Sequence, residues 1–195
     1  MKGSTGITVV NGSPRREGNT SILVERLCAG ARDGGAAVDV FRLHDLAIRP
    51  CQACGACGQS VEEDCVIADD MQPIYRSIRL AGALVIASPI YWWSVSAQTK
   101  LFVDRCEALG GPEGSVLRDK RIGVILVYGG KDAVSSGAVN AIRAFQDAFR
   151  YLGSDLVDIV HGSAWEAGAV RENVRLMEEA YDLGRKLAQL ESRGR

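Results

Sequence analysis

The sequence predicts a doubly wound α/β domain, a parallel sheet with helices on both faces. Three observations predict it. Short apolar runs recur five times along the chain. Helix-period patterns lie between them, and strand alternating with helix builds parallel βαβ units. The third and fourth runs are almost continuously apolar, as strands covered on both faces must be.

The first run, Ile7-Thr8-Val9-Val10, is rich in β-branched residues and ends at "NGSPRREGNT". A helix follows, with Leu23, Leu27 and Gly30 at i, i+4 and i+7. Ala37 to Phe41 is the second strand, and Ala83 to Ala87 the third, which Pro89 is expected to halt. Ile122 to Val127 and Asp155 to Val160 are the fourth and fifth. Between those two, Ile142, Phe145, Phe149 and Leu152 repeat at helix spacing. Val174, Met177 and Tyr181 begin the same pattern in a C-terminal helix that runs out into "ESRGR". With no internal repeat or Pro-rich linker, residues 1–195 read as one domain with a cysteine-rich loop at about 48–71.

A chain of this length buries roughly 70% of its unfolded surface, so its core needs no disulfide staples. The formal net charge is −1 with no basic block, which argues against nucleic acid or an anionic membrane as partner. Leu80 to Thr99 carries no charge, but Gly82, Ser88, Pro89 and four further polar residues break it. It reads as a buried strand and loop rather than a membrane span. The N-terminus lacks the apolar stretch of a signal peptide, so the expected compartment is the cytoplasm, where Cys-x2-Cys spacing points to metal or redox chemistry.

In a doubly wound sheet, ligands bind beyond the carboxyl ends of the strands. The segments to read are therefore 11–20, 43–71, 88–96 and 128–137. After the first strand, "NGSPRREGNTS" offers hydroxyls, amides, two arginines and two glycines before a helix that Asn19 or Thr20 can cap. No triphosphate or dinucleotide glycine motif is present, so a single phosphate monoester fits better. A polar strand-to-helix turn would use the same residues. The stretch "GSPRREGNTS" resembles the phosphate loop of the NAD(P)H-dependent FMN reductase family, which has the flavodoxin-like fold. The resemblance implies a five-stranded sheet in the order 2-1-3-4-5, with Ser13, Arg15, Asn19, Thr20 and Ser21 holding the FMN phosphate.

After the third strand, "SPIYWWSVSAQTKLFVDR" places Tyr91, Trp92 and Trp93 at the carboxyl end of a central strand, with Ser94 or Ser96 able to cap the next helix. Flat apolar faces beside backbone N–H groups suit a planar ring. At least one of these aromatics must instead pack on a helix or a second subunit, since a ring has two faces. The segment resembles the second flavin segment of the same family, which implies flavin contacts from Pro89, Ile90, Tyr91, Trp92, Trp93 and Ser94. After the fourth strand, the resemblance places a third flavin loop at "YGGKDAVSSG". There Gly129 and Gly130 would admit the flavin and Lys131 could face its pyrimidine edge; an ordinary glycine turn would look the same.

Four of the six cysteines, Cys51, Cys54, Cys57 and Cys65, are spaced C-x2-C-x2-C-x7-C. Ferredoxin cluster loops share the first three positions but not the fourth. The motif resembles that of the iron–sulfur flavoproteins, a branch of the same family, followed there as here by "DDM" at Asp69-Asp70-Met71. The resemblance implies a [4Fe–4S] cluster on the four cysteines. Tetrahedral zinc, a Cys54/Cys57 redox pair and a loop without metal use the same residues, and Glu62, Glu63 and Asp64 add negative charge beside an anionic cluster. Cys28 and Cys106 read as ordinary buried thiols. His44 and His161 read as surface or loop-packing residues.

The function that follows is an FMN oxidoreductase that passes electrons between NAD(P)H or a [4Fe–4S] cluster and a small-molecule or protein acceptor. Hydride transfer at flavin N5 needs no protein acid or base, so no catalytic dyad is sought. The resemblance also implies a homodimer or homotetramer. An FMN-only NAD(P)H:quinone reductase stays open as an alternative. So does a redox or metal sensor built on the cysteine loop.

Overall fold

The computed structural model describes residues 6–59 and 64–189. Its main sheet has five parallel strands: β1 (Gly6–Asn11), β2 (Ala37–Arg42), β3 (Ala83–Tyr91), β4 (Arg121–Tyr128) and β5 (Asp155–Ser163). Side by side they run β2-β1-β3-β4-β5, the expected 2-1-3-4-5 order. The crossovers carry α1 (Asn19–Asp33), α2 (Met71–Leu80), α3 (Ala97–Arg105) and α4 (Ala138–Leu152), and α5 (Val174–Ala188) closes the chain. Among the described residues, no helix is long and apolar enough to cross a membrane.

Alternation along the central strands feeds two cores. Ile7, Val9, Ala83, Val85 and Ala87 face α1 and α5, while Val10, Leu84, Ile86, Val124 and Leu126 face α2, α3 and α4. The residues of β3 on the first face are small, and α1 and α5 lie correspondingly close. A Cβ at Gly30 would sit 2.0 Å from the Tyr181 carbonyl oxygen, and one at Gly184 2.0 Å from that of Leu27. Only glycine fits at this crossing.

Two sequence expectations are corrected here. In α5 the buried positions are Leu176, Ala180, Leu183, Gly184, Leu187 and Ala188, whereas Val174 is exposed. The small residues of the helix meet the α1 backbone, Met177 packs partly buried on the same core, and Tyr181 reaches α1 from the rim, donating to Asp33 Oδ2 and lying under Arg26. Pro89 does not halt β3, which pairs with β4 up to Pro89 and Val127. Beyond Ala87 β3 has no β1 partner, since β1 ends at Asn11. A residue without an N–H is tolerated in such an edge position.

Candidate functional site

The loop after β1 is held by its own polar groups. The Ser13 N–H donates to Asn11 Oδ1 (2.9 Å), Asn11 Nδ2 donates to Ser21 Oγ (3.0 Å), and Ser21 Oγ donates to the Arg15 carbonyl (2.9 Å). Ser96, the N-cap of α3 as expected, also donates its hydroxyl to the Gly12 carbonyl at 2.8 Å. The N-cap of α1 is Gly18, not Asn19 or Thr20, and no side chain caps it. Its first-turn N–H groups are therefore left for an anion.

These groups open onto a cleft of about 380 Å³ lined by Ser13, Arg15, Asn19, Thr20, Pro89, Ile90, Tyr91 and Gly129 among others. The structure thus brings together eight of the residues expected from sequence. The two arginines divide their work: Arg16 pairs with Asp45 at 3.0 Å, whereas Arg15 lines the cleft and pairs with no described carboxylate. Ser21, Trp92, Trp93, Ser94 and Gly130 lie outside the lining.

Trp92 and Trp93 form the two-residue turn between Tyr91 and Ser94, which pair antiparallel. Their φ angles of 46° and 58° are those of a primed hairpin turn, normally left to Asn and Gly. Trp93 is fixed by its Nε1–H to the Ser135 carbonyl (3.1 Å) and by Asn140 on its own carbonyl (3.1 Å). Trp92 is 89% exposed.

The far wall of the cleft, Ala164, Trp165 and Glu166 after β5, was not among the segments singled out from sequence. The rule that sites lie beyond strand ends, applied to the fifth strand, would have found it. Asn19 builds this wall. Its amide donates to the carbonyls of Ala164 (3.1 Å) and Glu166 (2.8 Å), and its Oδ1 accepts from the Val170 N–H (3.2 Å). With its side chain engaged, Asn19 can offer a phosphate only its backbone N–H. A Cβ at Gly129 would lie 2.3 Å from Trp165 Cε3, so this glycine seats the indole while its backbone lines the cleft.

A second cleft, about 520 Å³, is lined by Cys51, Cys54, Cys57 and Cys65 together with Asp104 and Glu107. Ala53 and Gly55 turn the loop with φ of 51° and 72°, and the Ala53 N–H donates to Cys51 Sγ at 3.4 Å. Asp64 is paired with Arg79 (3.1 Å), which offsets part of the acidic run; Glu62 and Glu63 lie outside the described residues. Burial, then the neighbouring Cys65, raises the Cys57 thiol above its ordinary value. Four thiols on one cleft are the donor set of a cluster or zinc site, although among the described residues no three candidate ligands converge on a point. Cys28 is buried and its thiol is raised by that burial; Cys106, expected to be buried, is half-buried, and desolvation pushes it up to about 12. Among the described residues His44 is exposed and meets Gln98, as a surface residue does, whereas His161 is not in a loop but half-buried in β5, opposite Leu126 and within hydrogen-bond reach of the Tyr128 hydroxyl.

Fold and cleft together define a flavodoxin-like protein with a phosphate-ready helix start beneath an aromatic-walled crevice. The model of the NADPH-dependent FMN reductase family matches residues 5–156, and the chain belongs to that family. It is an NAD(P)H-dependent FMN oxidoreductase. An iron-sulfur flavoprotein of Methanocaldococcus jannaschii is 32% identical over 136 residues, 70% of this chain and 68% of that one. An iron-sulfur flavoprotein of Methanosarcina thermophila is 32% identical over 141 residues, covering 72% and 71%. Among solved structures, the NAD(P)H:quinone oxidoreductase of Methanothermobacter marburgensis superposes with a TM-score of 0.75 at 17% identity, over 97% of this chain and 100% of that one.

Proposed function

We propose that this single-domain chain holds FMN in the cleft beneath Trp165 and a [4Fe–4S] cluster on Cys51, Cys54, Cys57 and Cys65. Ser13, Arg15, Thr20 and the first-turn amides of α1 bind the phosphate. Pro89, Ile90, Tyr91 and Trp165 border the ring. Ser21 supports the phosphate loop through Asn11 and the Arg15 carbonyl, and Trp93, Ser94 and Gly130 support the ring border from outside it. FMN, when bound, accepts a hydride from reduced nicotinamide and yields electrons to an acceptor singly or in pairs. Tyr91 and Trp165 exclude water from the ring, and Arg15 balances the phosphate charge. A cluster on the four cysteines would supply single-electron exchange with the flavin, and the final acceptor is a small molecule such as a quinone, or a protein.

One observation carries this reading: all four motif cysteines open onto one cleft, and α3 links that cleft to the flavin loop. The exposed Trp92 suits a homodimer or homotetramer, and the cytoplasm is the compartment we infer. A second reading, FMN alone with a metal-free loop, draws on the failure of the sulfurs to converge among the described residues. Family membership favours either reading over the sensor alternative. Protein purified without oxygen should show flavin bands with about four irons and matching labile sulfide per chain. Flavin bands without iron would leave the FMN-only reductase, and no flavin would overturn both.

A further inference from the structure

The cysteine loop leaves the fold after Arg49 and returns at Ile67, and both stems are tied to one buried side chain. Arg105, at the end of α3, is 1% exposed. Its Nη1 donates to the Arg49 carbonyl (2.9 Å) and to Asp69 Oδ2 (2.6 Å). Its Nη2 donates to Asp69 Oδ1 (3.2 Å) and reaches the Ile67 carbonyl (3.5 Å). Asp69 in turn accepts from the N–H groups of Arg49 (2.9 Å) and Met71 (3.0 Å), and Tyr75 donates to the Arg105 carbonyl at 2.8 Å. Gln72 adds a bond to the Cys65 carbonyl (2.8 Å). The forked guanidinium is the group that can hold two carbonyls and a carboxylate at once. Its Nε is buried with no partner among the described residues, and its chain neighbours Asp104 and Glu107 line the cysteine cleft.

We propose that Arg105 is the positioning residue of the cysteine site, closing the loop's two stems so that the four thiols face one cleft. This rests on the reading that those thiols hold a metal centre. The role is electrostatic as well as steric. Removing the guanidinium leaves the Asp69 carboxylate uncompensated beside an anionic cluster, and neutralising Asp69 leaves the cation.

The test compares Arg105→Lys, Arg105→Gln and Asp69→Asn with wild type, as FMN-loaded protein purified without oxygen. FMN per chain should be unchanged in Arg105→Lys, while iron retention against a chelator falls about 10- to 100-fold, the range for outer partners of metal ligands. The cluster's midpoint potential should fall in Arg105→Gln, rise in Asp69→Asn and return toward wild type in Arg105→Lys. A merely structural residue would not move it in opposite directions. Wild-type iron retention and potential in both Arg105 variants would overturn the proposal. Should the wild type carry no iron, the metal reading falls, and alkylation of Cys57 relative to Cys28 decides on the clamp. Arg105→Lys is then expected to speed it about tenfold by loosening the stem, and an unchanged rate overturns the clamp as well.

Discussion

The two clefts are built by different physics. The cleft proposed for FMN is made of backbone amides at a helix start and of strand ends, all fixed by bonds that folding itself forms, such as Asn11 to Ser21 and Asn19 to the Trp165 wall. The cysteine cleft is rigid at its stem, where Arg105 and Asp69 are buried, and open at its tip, where Cys51 and Cys54 are exposed. An anion site drawn from a helix terminus exists before its ligand arrives. A thiolate site draws its donors together only as a metal displaces their protons.

The largest effect that sharpens this contrast lies in the stem. Asp69→Ala should cost about 3–5 kcal/mol in urea unfolding, because it strands a buried guanidinium. The same pair sets a pH dependence. Burial alone would raise the Asp69 carboxyl, but hydrogen bonds from Arg105, Arg49 and Met71 outweigh it and hold it below its ordinary value. Its stabilisation is therefore complete above the unfolded pKa, roughly 4, and is lost as the pH falls below that toward the folded value. Unfolding midpoints of wild type and Asp69→Ala should converge in acid.

On the flavin side, Arg15→Ala should weaken FMN binding by about 1.5–3 kcal/mol, the worth of a hydrogen bond to a charged group, measured by fluorescence titration. Asn19→Ala should destabilise by about 1–3 kcal/mol, since it orphans the buried Val170 N–H. It should also release the Trp165 wall and weaken FMN. Replacing Trp92 with Gly should stabilise the monomer by about 1 kcal/mol through relief of its left-handed backbone, with FMN affinity unchanged. The smallest effect is Arg16→Ala, about 0–1 kcal/mol for an exposed pair with FMN retained. Equal losses from Arg15→Ala and Arg16→Ala would break the division of labour between them.

The strands were legible in the sequence because apolar runs such as Ala83 to Ala87 carry their burial locally, and so was the gathering of Ser13, Arg15, Asn19 and Thr20 on one cleft, since those residues are nearly contiguous. What was not legible depends on distant pairings. Asn19 meets Ala164 across 145 positions, and no local pattern marks that bond. That Gly129 also makes room for the Trp165 indole likewise depends on a residue far along the chain. In α5 the pattern began at the exposed Val174 and missed Ala180 and Gly184, because the close crossing with α1 selects small residues that carry little apolar signal. Arg105 stood in the motif that carried the family resemblance, yet its part at the cysteine loop needed the fold to bring Arg49, Ile67 and Asp69 around it.

The separation of the two sites is tested most directly by counting FMN and iron per chain in wild type and Cys57→Ser, both purified without oxygen. Two independent clefts predict full FMN in both proteins, with iron in the wild type and its loss in the variant. Iron unchanged by Cys57→Ser, or FMN lost together with it, would contradict them.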